Sequence, residues 1–347
     1  MPATYFCIGA KTLAWAQLIT INEQSLQRPS LTIPGLMTAE KIILVFLAYA
    51  TVAAFLLDLS PYARALIAGL NLAAGAVVVA VSRIERTSRL INGLREWLPT
   101  ALILVAYRES GLFLKPDATH RLDNIFIQWD RVLLQNGFVD KCLSLGSPWL
   151  QEYLEFSYLL CYPLVLLGFA ALYLIAHPAP PSAQHPPDTS LTPLEPAGLG
   201  TLVGANNETD LQHRRLVVDH FWTTVLLAVL TCYVLFPFFP LTPPRVLFHD
   251  LPGPATGTFF RKLNGWVLGQ YSVQACIFPS GHVAAVTAVG LVVRSYLPRL
   301  GVLFVVIAVS IAVATVYGRY HYAADAVAGA VVGSLAFVVS RRNQPSR

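Results

Sequence analysis

Three short stretches in the last third of this 347-residue chain carry residue types suited to binding and transferring a phosphoryl group. They are Thr242-Pro243-Pro244-Arg245, Pro279-Ser280-Gly281-His282, and His321-Tyr322-Ala323-Ala324-Asp325. Pro-Ser-Gly-His stands directly before an apolar run, which puts Ser280 at a cap-like position and gives Gly281 close backbone access to a ligand. Free N–H groups and the positive end of the helix dipole then make an anion site, with His282 beside it. His321 and Asp325 are four residues apart, so on a helix they share a face. Asp325 can accept from one ring nitrogen and fix the tautomer, leaving the other free as a nucleophile. Arg245 adds a permanent, planar, bidentate partner for phosphate. Taken singly, Pro-Ser-Gly-His reads equally well as a loop-to-helix turn, and His321 with Asp325 as a polar pair capping a transmembrane helix. Their order, their shared side and their membrane setting favour the chemical reading.

The elements that must position these residues are apolar. Hydrophobic residues make up 55% of the chain and charged residues 12%, with a mean hydropathy of +0.57. A soluble domain carries about 25% charged residues, so this chain lacks the side chains for a solvated exterior. The fold class is all-α, a polytopic transmembrane bundle of about eight spans with a six-helix catalytic core. The apolar segments run over 41–59, 62–82, 97–113, 153–176, 217–239, 282–297, 300–317 and 322–340. A span needs about 20 apolar residues; 97–113 is interrupted by Arg108 and Glu109, and 282–297 is short. The net charge of +5 fits arginines at membrane boundaries, and no basic run interleaved with aromatics points to nucleic acid.

The chain divides into an interfacial segment over 1–40, a transmembrane half over 41–176, a loop over 177–213 with seven prolines, and a second half over 214–347 bearing the three stretches. Residues 83–96 read as an arginine-rich connection, and 114–150 as an amphipathic surface segment. With both termini inside, Lys/Arg placement puts the 240–281 loop and the 318–322 turn together on the outer, extracytoplasmic face of a plasma or inner membrane. No cleaved signal peptide is expected.

Phe278-Pro279-Ser280-Gly281-His282, followed about forty residues later by His321-Tyr322-x-x-Asp325, resembles the type 2 phosphatidic acid phosphatase superfamily. The Pro-Pro-Arg and His-Tyr-x-x-Asp forms resemble its inositol-phosphoceramide-synthase-like branch, as do Arg95-Glu96-Trp97-Leu98-Pro99 and the tyrosine-rich 153–162 stretch. The motif region covers roughly 216–341. The resemblance implies that His321 attacks phosphorus and becomes a phosphohistidine, that Asp325 orients it, and that His282 protonates the leaving oxygen and then activates water or an alcohol. Arg245, Ser280 and the Gly281 amide would hold the phosphate, with no metal and no cofactor. The substrate would be a membrane lipid phosphate. An inositolphosphotransferase-like headgroup transferase is the alternative within this class; a non-catalytic transporter or scaffold is the alternative outside it. Two positions depart from the family. The lysine expected seven residues before Arg245 is Phe238, and the arginine expected six before His321 is Thr315. Arg261, Lys262 and Arg319 are the candidate replacements.

Other polar residues read as structural. His249 reads as solvated rather than catalytic, Glu155 as a helix-end anchor rather than a headgroup contact, and Asp123 and Asp130 as the wet face of an interfacial helix rather than the lining of an outer entrance. Tyr317 packs either on His321 or in the core. Gly329 and Gly333 mark close intramolecular helix packing rather than dimerisation, and Cys142 and Cys276 read as unpaired rather than as a disulfide, neither a zinc pattern nor a disulfide framework being present.

Overall fold

The computed structural model describes residues 35–84, 89–114, 122–134, 147–175, 197–250, 257–273 and 275–342. The 1–34 part of the expected interfacial segment, Cys142, Arg86 and the proline-rich stretch up to 196 lie outside them. Leu36–Arg347 forms one compact unit.

Helices dominate, and their boundaries follow local chemistry. In α1 (Thr38–Leu56), the Glu40 side chain accepts from the Met37 N–H, and Asp219 accepts from the N–H groups of Thr38 and Ala39. An anionic oxygen on the free N–H groups of a first turn stabilises it. In α2 (Pro61–Arg83), Ser60 caps Ala63 and proline opens the first turn, where its missing N–H costs nothing. α3 (Arg89–Ser110) carries the third apolar segment, and a 3-10 turn extends it to Phe113. It therefore starts inside the expected 83–96 connection and runs through Arg108 and Glu109. The charges are tolerated because they are paired: Arg95 donates to both carboxylate oxygens of Glu40, Glu96 pairs with Arg214, and Glu109 accepts from Asn71 at 2.7 Å.

α4 (Asp123–Leu134) is the surface helix expected within 114–150. α5 (Pro148–Leu159) and α6 (Leu164–Ile175) are two arms of one apolar segment, bent by 64°. Pro163 stands in the break, where its missing N–H removes a helical bond. α7 (Ala197–Leu235) begins directly after the last of the seven prolines, Pro196, so the expected loop gives way to helix at Ala197. Nothing in 197–213 forbids helix once proline stops.

The second half contains the one-turn α8 (Pro244–Leu247), α9 (Phe259–Tyr271), α10 (Gly281–Tyr296), α11 (Pro298–Tyr317) and α12 (Ala323–Arg342). Two short strands, β1 (Pro240–Leu241) and β2 (Cys276–Ile277), pair antiparallel. α10 is the hub: it packs against α6, α7, α11 and α12, and Val283, Val286, Val289 and Val292 on it are wholly buried. Bilayer cannot drive helices together by the hydrophobic effect, so close backbone contact does more of the work. A Cβ on Gly329 would stand 2.5 Å from the Ser280 carbonyl oxygen, and one on Gly333 would stand 2.5 Å from that of Ala284. The expected intramolecular packing of these glycines is thus what brings α12 onto α10.

Among the described residues, five helices are long and apolar enough to span a membrane, or six if α5 and α6 form one span. Eight were expected. The 97–113 segment sits in the charge-bearing α3, and the 282–297 segment in α10, whose 16 residues extend only about 24 Å. α10 is enclosed by other helices, so its length need not match the bilayer.

Candidate active site

The three stretches meet because the backbone ties them together. Strand β1 leads into the first stretch and β2 into the second, in the register Pro240 with Ile277 and Leu241 with Cys276. The Arg245 N–H donates to the Arg319 carbonyl at 2.8 Å, joining the first stretch to the third. The Ser280 N–H donates to the Asp325 carbonyl at 3.2 Å, joining the second to the third. Arg319 adopts a left-handed conformation, with φ of 58°. That is uncommon for a non-glycine residue, and it lets the Tyr320 and His321 N–H groups both return to the Thr315 carbonyl at 2.9 and 3.0 Å. Thr315, where the resemblance puts an arginine, is buried and acts through its backbone in closing α11.

His321 lies in the turn before α12, not on the helix as the spacing suggested, yet the four-residue relation holds. Its Nδ1 is 2.5 Å from Asp325 Oδ2, and Asp325 is wholly buried. A carboxylate at Nδ1 makes that nitrogen the proton carrier, so Nε2 keeps its lone pair. The His282 ring centre is 5.6 Å from that of His321, edge to face. Tyr158 and Tyr162 hold the other sides of His282, with centroids at 6.1 and 5.8 Å.

His282, His321, Arg245 and Gly281 all line one cavity of about 470 Å³. Away from them the walls are mostly apolar, with Ile103, Leu104, Val165 and Leu166 from α3 and α6, and Arg108 among them. Leu104 is 63% exposed, so this end of the cavity reaches the lipid-facing surface. A phosphate at the polar end can therefore keep its hydrocarbon in an apolar environment. Ser280 is fully buried and is not among the residues lining the cavity. Its Oγ accepts from the Val283 N–H, so it caps α10 and leaves the face of the first turn to Gly281 and His282.

The candidate replacement cations separate. Lys262 is exposed and lines neither cavity described here. Arg319 donates to the Phe248 carbonyl at 3.1 Å. Arg261 lies beside Arg245 in a smaller pocket. Glu155 is the anchor expected of it, and a fuller one: buried, it accepts from Arg261 at 2.9 Å, Asn264 at 2.8 Å and the Tyr320 hydroxyl at 2.5 Å. Tyr320, next to His321, stacks on Tyr158 at 3.8 Å. Tyr317 packs against this Tyr158–Tyr320 cluster.

Sequence reasoning expected α4 as a surface helix but missed its contacts with the site. Asp123 is buried and its Oδ1 accepts from the Thr242 N–H at 2.9 Å. Asp130 accepts from the N–H groups of Ala323 and Ala324 at 3.0 and 3.1 Å, capping α12 between His321 and Asp325. Burial pushes the Asp130 carboxyl above its usual range, and the two N–H donors oppose that shift. Phe126, between the two aspartates on one face, packs on Phe278 and Tyr322. The spacing Asp123, Phe126, Asp130 was the available signal, since these positions share a helical face.

Cys276 Sγ, a His321 nitrogen and an Asp325 oxygen lie within 4.8 Å of one another, a donor set that could hold a divalent ion. Burial pushes the Cys276 thiol well up, and it donates to the Tyr320 carbonyl at 3.2 Å. A metal would need the thiolate and would compete with Asp325 for His321. Instead the Cys276 thiol is taken up by the Tyr320 carbonyl, and His321 by Asp325.

Comparison with known proteins agrees with this geometry. Residues 211–339 match the family model of the PAP2 superfamily. A PA-phosphatase related-family protein of Dictyostelium discoideum is 46% identical over 99 residues, covering 26% of this chain and 17% of that relative. The chain thus spans a small part of that relative's length. No solved structure matches. The two matches support the superfamily and a membrane phosphatase-type protein, and the family match covers all three stretches.

Proposed function

We propose that this chain is an integral membrane enzyme that moves the phosphoryl group of a lipid phosphate through a phosphohistidine on His321. The observation that carries the reading is the pairing of His321 Nδ1 with buried Asp325 at the polar end of a cavity whose other end is apolar and open to the lipid-facing surface. The substrate phosphate lies at Arg245 and the Gly281 end of α10. Nε2 of His321 attacks phosphorus, and the bond from phosphorus to the lipid oxygen breaks. His282 delivers a proton to that oxygen. In the second half His282 takes a proton from the acceptor, which attacks phosphorus and releases His321. Water as acceptor makes a phosphatase, and an alcohol makes a phosphotransferase. Arg245 and the α10 dipole stabilise charge on the transferring group, the term that dominates phosphoryl transfer.

The test is phosphate release from a panel of lipid phosphates in detergent with EDTA, for the wild type and His321→Ala. Release that disappears in the variant, with an acid-labile phosphoenzyme trapped in the wild type, is expected. Release that persists in His321→Ala would refute the mechanism.

A further inference from the structure

A second pocket, of about 210 Å³, borders the first and is not used by the mechanism above. It shares Arg245, Leu268 and Tyr320 with the larger cavity and is completed by Arg261, Gly265 and Gly269. The last three are four residues apart along α9, so they occupy one helical face. A Cβ added to Gly265 or Gly269 would meet nothing within 4 Å. These glycines serve no tight packing; they leave the space in front of Arg261 open.

Arg261 is held in a fixed pose. Its Nη1 donates to Glu155 Oε1 at 2.9 Å and to the Gly318 carbonyl at 2.8 Å, and its guanidinium lies 5.0 Å from the centre of the Tyr320 ring. Among the described residues, the Arg245 guanidinium has no hydrogen bond or ion pair. Glu155, the carboxylate on Arg261, is shared with Asn264 and Tyr320. Of the two guanidiniums only that of Arg261 meets a carboxylate, and that carboxylate also accepts from two other donors. A pre-set planar donor beside a second arginine, with room in front of both, matches an oxyanion.

We propose that this pocket is a second oxyanion subsite, taking a phosphate-class anion beside the phosphoryl group that Arg245 presents to His321. The inference rests on the phosphoryl-transfer reading and extends it. The anion has two possible sources: the second phosphoryl group of a diphosphate ester substrate, or the phosphate released by hydrolysis. In either case Arg261 supplies, from α9, positive charge that Phe238 and Thr315 do not.

The experiment uses the full chain in detergent with EDTA and two esters of one alkyl chain, a monophosphate and a diphosphate. Gly269→Leu and Gly265→Leu fill the pocket while removing a glycine from a helix face, which favours the helix; thermal unfolding checks that both variants fold. If the subsite holds the substrate's second phosphoryl group, kcat/KM for the diphosphate falls at least tenfold relative to the monophosphate. If it holds released phosphate, that ratio stays and the inhibition constant for inorganic phosphate rises at least tenfold. Neither change in either variant, with His321→Ala inactive on both esters, overturns the subsite and leaves the mechanism standing. Turnover surviving in His321→Ala overturns the mechanism instead. The subsite is then judged by whether inorganic pyrophosphate or phosphate raises the unfolding temperature of the wild type and not of Gly269→Leu; no rise in the wild type overturns it.

Discussion

The Asp325 carboxylate decides which nitrogen of His321 can react. It accepts from Nδ1, so the lone pair is on Nε2. Asp325→Asn preserves shape but can offer an N–H to Nδ1, which moves the ring proton to Nε2 and blocks attack. The expected result is a loss of kcat of about 10²- to 10⁴-fold with KM little changed, read by steady-state phosphate release; a kcat within a few-fold of the wild type would mean that His321 is not the nucleophile. His282 has a different dependence, because its proton is needed only when the leaving oxygen is basic. His282→Ala should lose alkyl phosphate turnover by about 100-fold or more while retaining much more of its activity towards an aryl phosphate, whose phenolate leaves unaided. Equal losses on both substrates would remove His282 from the acid role. Ser280 belongs to another category: as an α10 cap it contributes about 1 kcal/mol of stability, so Ser280→Ala should lower the unfolding temperature before it affects KM.

Two elements hold the site's geometry, and only one of them was legible. The Gly329 and Gly333 pair could be read from sequence because small residues at four-residue spacing have one physical use in a membrane helix, close approach. The same rule predicts that Gly329→Leu forces α12 off α10 at the Ser280 carbonyl, with an overpacking cost of about 1–3 kcal/mol and a fall in kcat, since the displaced elements carry His282 and His321. An unchanged unfolding temperature in detergent would contradict the packing. α4 was not legible in this way. Its aspartates looked like solvated charges because nothing in the sequence says which backbone N–H groups an interfacial helix will meet. Asp130 caps α12, and burial raises its pKa. The sign follows: a carboxyl with a raised folded pKa contributes stability fully below the ordinary aspartate value and loses it as the pH rises through the raised one. Asp130→Asn does not titrate, so it should gain stability relative to the wild type across that window. Unfolding temperatures measured across a pH series check this, and a constant difference between the two proteins would place Asp130 in water.

At the scale of the whole molecule, the sequence yielded the bundle, the three stretches and the fact that they converge, because each rests on a local rule of hydropathy or helix termini. It did not yield the pairing that lets α3 carry Arg95, Glu96 and Glu109, since Glu40, Arg214 and Asn71 are distant in the chain. Nor did it place Arg261 beside Arg245, which needs the α9 to α5 contact through Glu155. The placement of charge along the bundle carries one more prediction. The start of the apolar span Gln212–Phe238, within α7, holds Arg214 and Arg215, and the ends of α10, α11 and α12 that point away from the site hold Arg294, Arg299, and Arg341 and Arg342. At the site end, Arg108 and Arg245 line the main cavity and Arg261 the smaller pocket, so these are held by function and count less towards orientation. Basic residues favour the cytoplasmic side, so the site is expected on the outer face. A single cysteine at exposed His249, in a chain whose own cysteines are replaced, should react with a membrane-impermeant maleimide added to intact cells. One at exposed Arg342 should react only after the cells are opened. The reverse pattern would put the headgroup chemistry in the cytoplasm, and the acceptor alcohol or water would then be drawn from that side.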